Sequence, residues 1–371
     1  MEGKLTIEPV VKRKLCTGCG TCAGICPREA IEMVANRRRG CSLPRIDKKR
    51  CIRCGLCHQA CPGHGIDFES FNDALFGEIP EDIALGRYLG CYAGHTLEEN
   101  ARCDCSSRGL VNSLLTFALE ENLIDGALVT RMVGDNPPGP EAFIARTRDG
   151  ILSPVGSMSE PVAAADSALG EILRTDGRYA VVGLPCHIQG LRKAERHIAG
   201  LSERIRYRIG MPCGLNSGLC GGGRTGRKPP RRCTLCSDML GELSDLTCGD
   251  VPAPEGVRAG EAQDCFVISR TTEAEGLLEA AASKEAIHLS ELEVRELPIS
   301  RDRVLHAKRK LQARIELLRW AGRSVPLYRQ RQMTLAQGDC VDAVKSQATR
   351  RARDGRIIGG LYRLAGSLRR S

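Results

Sequence analysis

Leu110, Leu114, Phe117 and Ala118 recur at the three- and four-residue spacing of one helix face, so residues 109–121 are expected to form an amphipathic helix. A second rhythm follows. Ala127-Leu128-Val129-Thr130 is a short apolar run that ends in the turn-rich Gly134-Asp135-Asn136-Pro137-Pro138-Gly139, a strand and a loop. Residues 162–174 read as helix, Tyr179-Ala180-Val181-Val182 as a buried strand, Gln189 to His197 as helix, and Ile205 to Ile209 as a further strand. Beyond a linker rich in Gly, Pro and Arg at 217–232 come a strand, Phe266-Val267-Ile268, and a helix at 275–283. Strands alternating with helices predict an α/β core, a mainly parallel sheet with helices on its faces. From residue 301 basic helices are expected, broken once at Pro326.

The first 66 residues carry a different signal. Cys16, Cys19, Cys22 and Cys26-Pro27 are followed by Cys51, Cys54, Cys57 and Cys61-Pro62, two C-x2-C-x2-C-x3-C-P runs. Thiolates at this spacing hold two [4Fe–4S] clusters in bacterial two-cluster ferredoxins, and the fourth cysteine of each run serves the other cluster. One ligand set is therefore Cys16, Cys19, Cys22 and Cys61; the other is Cys51, Cys54, Cys57 and Cys26. A zinc tetrahedron has no need of such triplets. The predicted organisation is a small α+β ferredoxin-like domain (1–66), a connecting arm (67–104), an α/β core (105–250), the C-terminal part of that core (251–300) and a basic helical tail (301–371). The two ferredoxin halves are joined by the basic connector Arg37-Arg38-Arg39-Gly40.

Composition narrows the function. Twenty cysteines in 371 residues, no secretory leader and no apolar run of about 18 residues point to a reducing cytoplasm. Exposed low-potential clusters point to an anaerobic host. The net charge of +9 is concentrated at one end: residues 301–371 hold 18 Lys and Arg against 5 Asp and Glu, whereas the preceding 300 hold 36 against 40. Such asymmetry marks either solvated helices or a docking surface for an acidic partner or a membrane-bound complex. Nucleic acid is not indicated, because aromatic residues are 4% of the chain and none interleave the basic tail as a ladder.

Two further features carry candidate chemistry. Leu184-Pro185-Cys186 and Met211-Pro212-Cys213 each follow a predicted strand, and ligands gather outside the carboxyl ends of parallel strands. With Cys233 and Cys236 of Cys233-Thr234-Leu235-Cys236 they offer four thiolates to one crevice. Spacing alone leaves three outcomes open: a third [4Fe–4S] cluster, a zinc knot or a redox-active dithiol. Cys103, Cys105 and Cys220 are rival ligands; Cys41, Cys91, Cys248, Cys265 and Cys340 are expected to be buried as small apolar side chains. Ser106-Ser107-Arg108-Gly109 stands before the predicted helix, as an anion site or an ordinary serine cap. No G-x-G-x-x-G follows a strand and no Walker motif is present, so a conventional NAD or ATP site is unsupported.

Residues 88–250 resemble the coenzyme F420 hydrogenase/dehydrogenase beta-subunit family. The resemblance rests on Ser106–Leu115 (SSRGLVNSLL), Asn122–Val129 (NLIDGALV), Val182–Glu195 (VGLPCHIQGLRKAE), Ile209–Asn216 (IGMPCGLN) and Cys233–Asp250 (CTLCSDMLGELSDLTCGD); residues 266–290 are similar to its C-terminal domain. The family implies an FAD-bearing α/β core with its own [4Fe–4S] cluster, on Cys186, Cys213, Cys233 and Cys236. It also implies that Ser106, Ser107 and Gly109 face the flavin phosphates, with Asn112 and Ser113 on the exposed first turn. The chain departs from the family's pattern at Arg108, where a glycine is usual, and in the short segment 214–232.

The reading that follows is an oxidoreductase in which reduced coenzyme F420 gives a hydride to FAD, and single electrons pass through the clusters to another subunit of a redox complex or a soluble acceptor. Arg192 and Lys193 are candidate contacts for the deazaflavin's acidic tail. The alternative is a non-catalytic ferredoxin-type electron-transfer subunit.

Overall fold

The computed structural model of the protein describes residues 5–36, 41–98, 106–133, 139–153, 167–213, 230–250, 264–297 and 301–330, with Met333, Leu335 and Asp339. The N-terminal segment is built of α1 (Glu8–Lys12), α2 (Thr21–Gly24), β1 (Ile31–Asn36), β2 (Cys41–Ile46) and α3 (Leu56–Gln59). Gly20 at φ 80° and Gly55 at φ 85° lie between the second and third cysteines of the two runs and open α2 and α3. This left-handed backbone, easy for glycine, turns the chain back on its own loop. β1 and β2 pair antiparallel from Ile31 opposite Ile46 to Asn36 opposite Cys41.

After these come β3 (Gly65–Asp67), α4 (Phe68–Phe76), β4 (Gly90–Thr96), α5 (Ser106–Glu120), β5 (Gly126–Val133), β6 (Gly139–Ala145), α6 (Arg148–Leu152), α7 (Ser167–Arg174) and β7 (Tyr179–Gly183). They are followed by α8 (Pro185–Glu195), α9 (Leu201–Arg204), β8 (Ile205–Gly210), β9 (Leu246–Asp250), β10 (Cys265–Ser269), α10 (Thr272–Ser283), β11 (Ile287–Glu291), α11 (Arg301–Trp320) and β12 (Leu327–Arg329). Eight strands form one sheet in the order β11-β4-β10-β9-β8-β7-β5-β6. Its centre, β9-β8-β7-β5, is parallel, as the alternating pattern predicted. Both edges are antiparallel, so the sheet as a whole is mixed.

Side chains alternate across each strand and divide the core into two layers. Ala180 and Val182 face α5 and α10 among Leu110, Leu114, Leu277 and Leu278. Tyr179 and Val181 face the other way, toward Ile172 of α7 and Leu191 of α8, and there Ile25 and Ala60 of the N-terminal segment join them. That layer seats the cysteine-rich segment on the sheet. Gly190 of α8 lets it approach: a Cβ there would collide with Thr21 of α2.

Three sequence expectations need correction. The arm at 67–104 contains β4, the strand next to the edge, between β11 and β10. Gly90 and Gly94 hid it, since they replace the usual β-branched residues where Tyr92 and Leu289 cross the strand. The tail is not a separate appendage over its described part. α11 buries Val304, Leu311, Ile315 and Leu318, and its Lys308 is buried in an ion pair with Glu242 at 2.5 Å. β12 then pairs in parallel with β3, tying residue 327 to residue 65. Counting charge concealed this because it does not distinguish the exposed Arg301, Arg303, Arg309 and Arg319 from Lys308 and Arg314, which are buried. Finally, α5 begins at Ser106, so the tetrapeptide 106–109 is its first turn instead of a loop before it. Most of the 217–232 linker, the Arg37–Gly40 connector and the last 30 residues lie outside the described residues.

Candidate metal centres and the adjoining cleft

The N-terminal loops bring the eight cysteines into two groups. Burial raises the Cys22 thiol well above its ordinary range, with charge at Cys19, Cys61 and Cys16 adding to the rise. Cys16 is raised by burial and then by Cys61 and Cys19. Cys57 is pushed up to about 11 by burial, and its neighbours are Cys54, Cys26 and Cys51. Cys61 thus adds to the charge felt by Cys16 and Cys22, and Cys26 to that felt by Cys57. Neutral thiols of this kind must lose protons to bind metal, so cluster assembly would release protons.

The four core cysteines come from three places. Pro185 is the first residue of α8, with Cys186 next to it, directly past the carboxyl end of β7. The backbone N–H of Leu184 donates to His187 Nδ1 at 3.2 Å and fixes that turn. Cys213 follows β8 and its N–H donates to the Met239 carbonyl at 2.9 Å. Cys233 opens a 3-10 turn that runs to Leu235, and Cys236 Sγ lies 3.2 Å from the Asp238 carbonyl. Asp238 organises this loop. Its Oδ1 accepts from the N–H groups of Leu240, Gly241 and Glu242, and its Oδ2 accepts from Gln189 on α8 at 2.9 Å.

Burial raises the Cys186 thiol, and Cys19, Cys233, Cys213 and Cys236 all contribute to the rise. The core four are therefore mutual neighbours, and Cys19 of the first run adjoins them. Among the described residues, no three His, Cys, Asp or Glu side chains are drawn together as a single metal ion requires. Zinc would hold sulfurs about 3.8 Å apart, given its Zn–S bond of about 2.3 Å. A cubane holds its thiolates farther apart at its corners, and four cysteines per set is the donor number it takes. Of the rival ligands, Cys103, Cys105 and Cys220 lie outside the described residues; Cys41, Cys91, Cys248 and Cys265 are buried, and Cys340 is likewise outside.

Two cations that sequence reasoning did not place here hold the junction. Arg232, 1% exposed, donates Nε to the Gly63 carbonyl at 2.8 Å, Nη2 to Pro62 at 3.1 Å and Nη1 to Leu235 at 3.1 Å. It therefore bridges the end of the second cysteine run to the Cys233–Cys236 loop, beneath the ring of Tyr328 at 5.3 Å. Burial opposes its charge, but Tyr328, Cys236 and Cys233 carry its pKa upward overall. Lys193 donates to the Cys61 carbonyl at 2.7 Å and to Gly65 at 3.1 Å; burial lowers it to about 8. It is thus committed to the junction and does not face an acidic substrate tail. Arg192 is committed too, buried against Asp245 at 2.5 Å and Glu195 at 3.3 Å in a network that Arg208 completes. The only sequence hint to Arg232 is its place next to Cys233, which no spacing rule reads.

The cleft beside these cysteines is small. A cavity of about 30 Å³ lies among Arg108, Asn112, Val129, Val182 and Met211 at the carboxyl ends of the parallel strands. Asn112 lines it; Ser113 does not, being buried with its Oγ 2.5 Å from Thr96 Oγ1. Gly109 is also buried. The N–H of Ser107 donates to Asp250 Oδ1 at 2.9 Å, so a carboxylate already occupies the start of α5 where a phosphate would go. The side chain of Ser106 is outside the described set. The cavity wall is mostly apolar, and a flavin's phosphates do not fit at this helix start as the described residues stand.

Family models described as coenzyme F420 hydrogenase/dehydrogenase beta subunit match residues 91–169 (N-terminal part) and residues 176–219 and 225–295 (C-terminal part). A 4Fe-4S dicluster domain matches residues 15–65. The chain is 29% identical over 138 residues to a coenzyme F420 hydrogenase subunit beta of Methanosarcina barkeri, covering 36% of this chain and 47% of that protein. It is 24% identical over 245 residues to the subunit of that name in Methanothermobacter thermautotrophicus, covering 54% and 83%. A coenzyme F420-dependent sulfite reductase of Methanocaldococcus jannaschii is 24% identical over 352 residues, 80% of this chain and 50% of that protein. The chain thus spans about half the length of two of these three relatives. In fold it is similar to a chain of the F420-reducing [NiFe] hydrogenase complex of Methanosarcina barkeri, solved as a xenon derivative. The TM-score is 0.52 at 20% identity, over 67% of this chain and 98% of that one.

Proposed function

This chain belongs to the coenzyme F420 hydrogenase/dehydrogenase beta-subunit family, and from that membership we propose that it is an oxidoreductase passing electrons between reduced coenzyme F420 and one-electron carriers. Clusters held on its three cysteine sets would take up and pass on single electrons. The observation that carries the reading is the continuity of those sets: Cys186 of the core four adjoins Cys19 of the first ferredoxin set, whose Cys22 in turn adjoins Cys57 of the second. The residues between them hold the sets in register. Arg232 and Lys193 fasten the Cys61–Gly65 loop, and Asp238 fixes the loop that bears Cys233 and Cys236.

FAD belongs to the reading on chemical grounds, because a deazaflavin gives two electrons as hydride and clusters accept one at a time. No step is assigned to it, since Asp250 holds the helix start. Two of the relatives are named as hydrogenase subunits, which favours a larger redox complex as the setting.

The test is anaerobic purification followed by iron, sulfide and flavin analysis. About twelve irons and one FAD per chain, with clusters bleached by reduced F420 and unmoved by NADH, are expected. Bleaching by NADH alone, or a pale protein after reconstitution, overturns the reading. A second reading is favoured by the Asp250 contact: a non-catalytic electron-transfer subunit, which predicts clusters without flavin and no response to F420.

A further inference from the structure

The two cysteine runs repeat each other, yet their C-x-x-C loops meet opposite surroundings. In the first, Cys16-Thr17-Gly18-Cys19, Thr17 is 4% exposed, and Gly18, at φ 82°, leaves so little room that a Cβ would stand 3.0 Å from Cys41. This loop is packed inward, against the hairpin strand that bears Cys41. In the second, Cys51-Ile52-Arg53-Cys54, the equivalent residues are Ile52, 62% exposed, and Arg53. Arg53 takes the same left-handed backbone at φ 53°. There is no crowding at this position to exclude a side chain, but an arginine there is strained by about 1 kcal/mol relative to glycine. An exposed isoleucine and a strained arginine together sit badly with packing alone and suit a contact surface.

The charge around this loop is predominantly positive. Arg28, Lys48, Lys49, Arg50 and Arg53 are exposed. The nearby acids are Glu29, shared by Arg50 at 3.3 Å and Arg174 at 3.4 Å, and Asp47, whose Oδ1 accepts from the Lys49 N–H. No ion pair is made by Arg28, Lys48, Lys49 or Arg53 among the described residues. Cys51 and Cys54 are half-buried in the middle of this patch, whereas Cys19, Cys22 and Cys61 of the other set are buried. Cys51 and Cys54 thus bring the second set to the surface beneath this loop, and it is the set farther along the series from the core.

We propose that the Cys51–Cys54 loop, with exposed Ile52 ringed by Lys48, Lys49, Arg50 and Arg53, is the docking port for an acidic protein that carries a one-electron redox centre. The proposal deepens the reading above and rests on it, since it needs a cluster on the second set. Isoleucine gives the dry centre of the contact and the cations its steering rim. Across it one electron is lost by the cluster and gained by the carrier's centre, in either direction, with no bond made or broken. An anionic membrane would also meet a basic rim, but lipid over Cys51 and Cys54 would separate the second set from any redox partner.

The test uses the full chain, loaded with clusters and its iron counted first. Its affinity for an acidic plant-type [2Fe–2S] ferredoxin is measured by calorimetry, and electron exchange is followed by stopped flow in whichever direction is downhill. Cytochrome c serves as a basic control and phosphatidylserine vesicles as a lipid control. The expected result is a roughly tenfold loss of affinity and rate in the K48E/K49E variant, a smaller loss in Arg53→Gly, and weakening by salt. Bleaching by dithionite should be unchanged in both variants. Arg53→Gly removes the charge while relieving the backbone, so its loss cannot be put down to misfolding. Unchanged affinity in both variants, equal reaction with cytochrome c, or binding to the vesicles in place of the ferredoxin overturns the docking port alone. A chain that holds no iron overturns the port and the proposed function together.

Discussion

The ferredoxin-like segment and the α/β core gather their cysteines by different physical means. In the first, eight cysteines within 46 positions are turned toward one another by their own loops, with Gly20 and Gly55 making the turns. Their sulfurs are also the segment's interior: Ile7, Val10, Leu15 and Ile31 are its aliphatic centre, and Cys22, Cys57 and Cys61 fill the rest. In the core, four cysteines arrive from the ends of two strands and a distant loop, at the margin of a sheet with a large apolar interior of its own. The segment needs what its cysteines bind in order to be a fold. The core needs its fold in order to have a binding site.

Removing iron should break that comparison most sharply. With the thiols protonated, four aliphatic side chains cannot hold the segment, so chelation should expose residues 5–66 to protease while the sheet stays protected. Hydrogen exchange followed by mass spectrometry would reveal it; equal loss of protection in both regions would refute the distinction. Cys22→Ser should act in the same way, whereas Cys233→Ser should cost about four irons and leave the sheet's unfolding transition in place.

Arg232→Met should come next. It leaves the carbonyls of Pro62, Gly63 and Leu235 without their donor, at about 1–3 kcal/mol each. Calorimetry should then resolve two transitions where the wild type has one. Gly190→Val should have a milder effect of the same kind, about 1–3 kcal/mol, because its side chain pushes α2 off α8 at Thr21.

The smallest effect is a pH dependence. Burial, with Lys193 and His58 adding, lowers His64 from 6.5 to about 4. The fold therefore prefers neutral His64. Its contribution is complete above pH 6.5 and lost as pH falls through about 4, where the unfolded chain binds the extra proton. Urea midpoints between pH 7 and 4 should fall less steeply in His64→Gln than in the wild type, and identical slopes would count against the assignment.

Periodicity read the parallel centre of the sheet well, since β5 and β7 carry apolar runs and β8 alternates Ile205, Tyr207 and Ile209 with Arg206 and Arg208. It missed β4, whose glycines make way for Tyr92 and Leu289, and the charge count mistook α11 for a free tail because Lys308 is paired with Glu242. At the cleft the residues alone left Ser107 open between an ordinary cap and an anion site, and the family resemblance implied the flavin phosphates. Asp250 lies 143 positions away, and only the sheet brings its carboxylate to α5. Arg192 and Lys193 looked like substrate cations and are spent on Asp245 and on the Cys61 loop.

The sequence by itself determined the chemistry of the ferredoxin sets, because ligands three residues apart meet through local turns that few alternative backbones satisfy. It also determined the α/β class, through the periods of its apolar residues. Only the tertiary structure decided which thiols of the core adjoin Cys19, that Arg232 fastens the two regions, and that one C-x-x-C loop faces inward and its twin faces water. Those outcomes depend on contacts between residues far apart in the chain, and a side chain's identity does not say which distant neighbour the fold will bring to it.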